Sequence, residues 1–129
     1  MTRDAWLELT VLERKKYNYL TEIQDLTKQM AESLDRNDQV STRMLVAMRQ
    51  DPLRQLEEVD KGKKARVSAL GDADRERVKA LERGDPAQDD SERVYLDQAG
   101  KTRRLLEQVV EVDRRVNLRM AGENSFYKK

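Results

Sequence analysis

Between Ala5 and Leu34 apolar side chains return in alternating steps of four and three: Ala5, Leu9, Leu12, Tyr19, Ile23, Leu26, Met30 and Ser33/Leu34, with Lys16 alone breaking the row. A repeat averaging about 3.5 residues lines one side of an α-helix and no side of a strand, so this segment must be a helix that buries its seam against other helices. Spanning about residues 2–34, it would be roughly 50 Å long at ~1.5 Å per residue. Trp6, Leu7 and Tyr17 lie beside the seam and widen its ends.

The segment LDRNDQ then interrupts the pattern, and Asn37 or Asp38 can accept a hydrogen bond from the open N–H groups of a second helix. That helix carries Val40, Met44, Leu45, Met48, Leu53, Leu56, Val59, Val67 and Leu70 and ends near Gly71. Pro52 lies inside it. A proline removes one backbone donor and crowds the preceding turn, but the stripe resumes afterwards, which predicts one kinked rod rather than two helices.

Residues 72–83 open on acidic residues and close on Arg83-Gly84, the charge order and terminal glycine of a short helix that can bury only Val78, Ala80 and Leu81. The polar linker GDPAQDD follows, with Asp90 or Ser91 as the cap of the last helix. Its stripe runs Tyr95, Gln98/Ala99, Thr102, Leu105/Leu106, Val109, Val112, Val116 and Met120, and Gly122 is placed to end it. The expected organisation is therefore a helical bundle domain over residues 1–122 and a flexible C-terminal tail over 123–129, which holds the only phenylalanine. The fold class is all-α: an elongated antiparallel bundle of three long helices plus one short helix. Rods of this length need not cover one another's stripes fully, and a surplus groove suits a further helix.

Composition narrows the chemistry. Charged residues reach 40%, but 26 Lys+Arg nearly cancel 25 Asp+Glu, so the chain has neither the net charge of a disordered polymer nor the basic excess of a nonspecific nucleic-acid binder. It contains no Cys and no His, which removes thiolate nucleophiles, thiolate metal sites and the commonest general base. Glu57, Glu58 and Asp60 have no supporting His, Cys or glycine loop and read as a solvated helix face. No phosphate-binding GxxxxGK[ST] loop is present. We therefore expect no catalytic residues, no cofactor and no metal.

The basic stretches Lys61-Gly62-Lys63-Lys64 and Lys101-Thr102-Arg103-Arg104 are interleaved with acidic residues and lack an aromatic spaced for stacking, so they read as surface charge and nucleic acid is not an expected partner. Met30, Met44, Met48 and Met120 sit on apolar stripes, as core filler or as the lining of an adaptable groove. No apolar run approaches the roughly 20 residues of a bilayer span, and MTRDAWLELT lacks a signal-peptide core, so the expectation is a cytoplasmic protein without membrane insertion.

The heptad opening from Leu9-x2-Leu12 to Met30, the LDRND turn, the segment MRQDPLRQLEEVD and the closing LLEQVVEVDRRVNLRMAGENSFYKK together span nearly the whole chain. In these features the sequence resembles the small flagellar type III export chaperones of the FlgN/FliT kind. Of them, Asp113-Arg114-Arg115 with the glycine-aromatic ending is the distinctive part. The resemblance implies a cytosolic helper, without catalysis or cofactor, that keeps hook-associated or filament-cap subunits unassembled and delivers them to the flagellar export gate. A partner's amphipathic terminal helix would then complete a four-helix arrangement. Leu105, Val109, Val112 and Val116 are the expected cargo-facing residues, and Phe126 and Tyr127 the expected gate contacts. The alternative is a structural coiled-coil adaptor whose surplus stripe pairs with a second copy as a homodimer or bridges other proteins.

Overall fold

A computed structural model describes residues 1–127, with side chains placed as far as Gly122. Four helices account for nearly all of it: α1 (Arg3–Asp35), α2 (Gln39–Ser68), α3 (Asp72–Arg83) and α4 (Asp90–Tyr127). This is the all-α bundle of three long rods and one short one.

Each boundary has a local cause. Thr2 caps α1 by accepting from the Ala5 N–H at 3.1 Å. At the other end Asn37 takes the left-handed conformation (φ 56°), its N–H donates to Leu34 O, and the Asp38 N–H donates back to Ser33 O at 2.9 Å. That pair of bonds is the Schellman closure. Asp38 serves the next helix at once, accepting from the Ser41 N–H at 3.0 Å. A hydroxyl pair, Ser33 with Thr42 at 2.6 Å, ties the two helices together beneath the turn.

α2 passes through Pro52 without a break, and Pro52 itself is buried. Gly84 (φ 113°) closes α3 by the same bonding scheme, with the Asp85 N–H on Ala80 O. Asp89, one residue earlier than the sequence suggests, caps α4 by accepting from the Glu92 N–H at 2.8 Å.

One expectation is corrected at the C-terminus. Gly122 does not end α4, whose backbone runs on to Tyr127. Glycine permits a left-handed stop without requiring one, and nothing in ENSFY forces the backbone out of the helix. The side chains of Phe126 and Tyr127, expected as gate contacts, lie outside the described part.

α1 is the spine. Antiparallel α2 and parallel α4 both pack along its length, whereas among the described residues no Cα of α2 comes within 8 Å of a Cα of α4. α3 crosses the end where α1 and α4 begin. The core along α1 falls into three apolar clusters: Trp6, Leu9, Val78, Leu81 and Tyr95; Leu20, Ile23, Leu105 and Val109; and Met30, Leu34 and Val116. Trp6 and Tyr95 meet with ring centroids 5.2 Å apart. The three residues of α3 that the sequence could bury, Val78, Ala80 and Leu81, are the ones buried.

Two polar layers separate these clusters. In the first, Glu13, only 3% exposed, accepts from Lys63 through its carboxylate, while Thr102 Oγ1 donates to Glu13 O at 3.1 Å. Lys16, the interruption in the heptad seam, is answered there by Asp60 at 3.3 Å. In the second, Arg49 of α2 donates to Thr27 Oγ1 at 3.2 Å and pairs with Asp113 of α4.

A buried pair broken on one side leaves an uncompensated charge, at a cost of about 3–5 kcal/mol, whereas replacing both partners by groups of similar shape is often near neutral. Lys63→Ala should therefore lower unfolding free energy in urea by about 3 kcal/mol, and the double variant Glu13→Gln/Lys63→Met should recover most of the loss. Equal losses for the single and the double variant would mean that the layer does not act as a pair.

Candidate functional site

Because α2 and α4 share α1 while their backbones stay apart, a trough opens between them. The Arg49–Asp113 pair bridges it partway along. Below the bridge it widens into a cleft of about 1020 Å³ walled by α2, α3 and α4 and floored by α1.

The walls follow from helical spacing. Val110 and Leu106 stand one and two turns before Asp113 on the same side of α4, the side turned toward α2, and they are 57% and 41% exposed. On α2, Leu53 stands one turn after Arg49 on the face turned toward α4 and is also exposed, while Val46 and Leu56 are half-buried. Only Thr42, Arg49 and Pro52 of the whole of α2 are fully buried. Its apolar stripe is thus incompletely covered by this chain.

The residues expected to face a partner lie elsewhere. Leu105, Val109 and Val116 are buried against Leu20, Ile23, Met30 and Leu34 of α1, and Val112 is half-buried on the Met30 cluster. They are core, which corrects their assignment as an open surface. The physical reason is that α4 carries two adjacent apolar rows, and α1 takes the row of Leu105 and Val109, leaving that of Leu106 and Val110 uncovered.

The cleft floor is a closed set of ion pairs. Lys63 binds Glu13 and, at 3.2 Å, Glu82, and its ammonium lies 5.2 Å from the centre of the Tyr95 ring. The Tyr95 hydroxyl donates to Glu82 at 2.8 Å. Burial by itself would favour loss of the Lys63 proton, but the neighbouring Tyr95 oxygen and the Glu13 carboxylate outweigh it and hold the ammonium above its ordinary value. Burial pushes the Tyr95 phenol up, and Glu82 adds to that. These groups are satisfied within the protein and lock four helices in register.

The rim differs. Lys101, Arg103 and Arg104 line the same cleft as Lys63 and Lys64, so the two basic stretches noted in the sequence converge there. Lys64 is matched by Asp60 at 3.0 Å, whereas the three α4 cations have no ion-pair partner among the described residues. Glu57 pairs with Lys61 and Glu58 with Arg54 on the exposed outer face of α2. Asp60 belongs to the cleft instead, between Lys16 and Lys64.

Periodicity missed Glu13 and Arg49, the two buried charges that shape the trough. Each stands next to a stripe residue, Glu13 after Leu12 and Arg49 after Met48, and has a residue of opposite charge on a facing helix, Lys63 and Asp113. Of the methionines, Met30 is core and Met120 half-buried, while Val40, Met44 and Met48 form an exposed row on α2. Among the described residues no group of His, Cys, Asp and Glu is arranged to hold a metal ion, and no helix is long and apolar enough to cross a membrane.

α3 is tied to the start of α4 by Glu92, 5% exposed, which accepts from Arg77 Nε at 3.0 Å and from the Gln88 N–H at 3.0 Å. The Arg77 guanidinium holds the Glu92 carboxyl below its ordinary value. A carboxyl depressed in the folded state stabilises above its unfolded value and loses that contribution as pH falls through the folded one. Acidification below about pH 4.3, the usual glutamate value, should therefore loosen α3, and Glu92→Gln should remove that part of the acid transition. Amide exchange of α3 followed against pH measures both; an unchanged acid transition in Glu92→Gln would assign it to other carboxylates.

No protein-family model matches the chain, and neither a curated protein nor a solved structure is significantly similar to it.

Proposed function

We propose that this protein is a cytoplasmic helix-binding chaperone of the flagellar export type, which takes the amphipathic terminal helix of a hook-associated or filament-cap protein and delays its assembly. The observation that carries the reading is the trough: two long helices share one spine, keep their backbones apart, and leave Leu53, Leu106 and Val110 exposed. A helix laid there would complete a four-helix arrangement and bury those side chains, the usual mode of helix-in-groove recognition. The sequence features shared with FlgN/FliT-like chaperones supply the class of partner. Delivery to an export gate through Phe126 and Tyr127 belongs to the same proposal.

Calorimetric titration with C-terminal helical segments of hook-associated and filament-cap proteins, against an unrelated amphipathic helix, tests it. Selective one-to-one binding is expected. Val110→Asp should reduce it at least about tenfold, a loss of ~1.4 kcal/mol, while leaving thermal stability nearly unchanged, because exposed substitutions typically stay within about 0.5 kcal/mol. Val109→Asp, one residue away but buried, should instead destabilise the fold by about 3 kcal/mol or more, since it buries an unpaired charge. Equal binding to the control helix would sink the chaperone reading.

One observation favours a second reading, a self-associating adaptor. Val40, Met44 and Met48 recur every four residues and are 73%, 58% and 54% exposed, an apolar row outside the trough. Sedimentation of a dimer that Met44→Glu abolishes would support that reading.

A further inference from the structure

The trough's cleft is not electrically neutral. Its floor charges cancel one another: Glu13, Asp60 and Glu82 take up Lys16, Lys63 and Lys64. Its α4 rim does not. Lys101, Arg103 and Arg104 lie within four residues of one another, border the cleft, are exposed, and have no ion-pair partner among the described residues. Asp97 is the only carboxylate on α4's side of the cleft. This local excess stands out in a chain whose total formal charge is +1.

The rim cations also sit beside apolar surface. Leu96, half-buried, and Leu106, 41% exposed, line the same opening, with Val67 across it on α2. Gly100 contributes space: a Cβ there would meet only the Arg104 guanidinium, at 3.3 Å, so that side chain folds back along the helix over the glycine. It can swing outward toward a ligand without disturbing packed core.

Resting on the reading that the trough takes a helix, we propose that its occupant is an acidic amphipathic helix. The apolar stripe of such a helix seats on Leu96, Leu106 and Val67, and its flanking Glu or Asp residues pair with Arg103, Arg104 and Lys101. A protein helix fits better than nucleic acid for two reasons on the same surface. Leu96, Leu106 and Val67 offer apolar surface that a row of phosphates cannot use, and Tyr95, beneath the cleft, is fully buried and cannot stack a base. Arginines on a partly apolar rim are suited to bidentate pairing with carboxylates, which sets orientation as well as affinity.

Two labelled synthetic helices test this, one with Leu at i, i+3, i+4 and i+7 flanked by Glu, the other identical but with Lys in place of each Glu. A single-stranded oligothymidine is the third probe. Fluorescence anisotropy should show the Glu helix binding at least about tenfold more tightly than the Lys helix, a difference that shrinks as salt is raised from about 0.05 to about 0.5 M. The double variant Arg103→Glu/Arg104→Glu, both positions exposed, should invert the preference so that the Lys helix becomes the tighter ligand. Inversion is a readout that misfolding cannot produce. Equal affinity for the two helices, no binding of either, or tighter binding of oligothymidine would each overturn the proposal. Binding of flagellar segments that ignores the charge reversal would overturn it while leaving the chaperone reading in place. Binding of the Glu helix without binding of those segments would do the reverse.

Discussion

Glu13 puts a carboxylate on the buried face of α1, between Leu9 and Leu20, and the register of all four helices depends on how that charge is met. Lys63 reaches the carboxylate from α2, Thr102 of α4 bonds the carbonyl of the same residue, and Lys63 continues to Glu82 on α3 and lies over the Tyr95 ring. An apolar seam alone can slide by a turn and still bury leucines. A buried carboxylate slides less readily, because every other register takes it from Lys63 and leaves it only Lys16 of its own helix, at 3.6 Å. Arg49, with Thr27 and Asp113, repeats the device nearer the α1–α2 turn. These layers contribute specificity more than net stability, since desolvation offsets much of the attraction.

The same layers explain why α1 serves as spine. Its buried face meets α2 on one flank and α4 on the other, so the three apolar clusters are strung along it and separated by ion pairs. α2 reaches the core mostly through half-buried side chains and the aliphatic stem of Arg49, one of its few fully buried residues. Arg49 is also the one place among the described residues where the interior is incompletely satisfied: its Nε is buried without a hydrogen-bond partner. A long side chain that spans a gap between two helices cannot direct every donor at an acceptor, and the guanidinium's terminal nitrogen serves Thr27 and Asp113 while Nε is left over.

The helices, the three buried residues of α3 and the up-down-up order were legible in the sequence, because caps, glycine stops and a 3.5-residue period are local signals with local causes. The open face was not, and periodicity puts it on the wrong row of α4. Leu105-Leu106 and Val109-Val110 are apolar doublets, and a doublet fits equally well with either member inward. Only the tertiary position of α1 decides, and it takes Leu105 and Val109. Glu13 and Arg49 escape a count of apolar positions because such a count treats a charge as noise, although each has its complement on a facing helix. Gly122 misleads for another reason: glycine allows a helix to end, and whether it does depends on the residues C-terminal to it.

The doublets also explain how a surface can be open without the chain being unstable. A stripe one row wide on α4 would be consumed entirely by α1, leaving nothing to bind with. A stripe two rows wide, opposite a proline-containing α2 whose backbone stays apart from that of α4, gives one row to the fold and keeps the other exposed. Because the register is held by the ion-pair layers and by the row already buried, the trough keeps its shape without an occupant. Burying Leu106 and Val110 therefore adds to binding rather than to folding, and at about 25 cal/mol per Å² of apolar surface each such side chain is a meaningful share of a reversible affinity. In the proposed function, the buried row of α4 holds the fold and its uncovered row receives the partner helix, so the two tasks fall on different side chains.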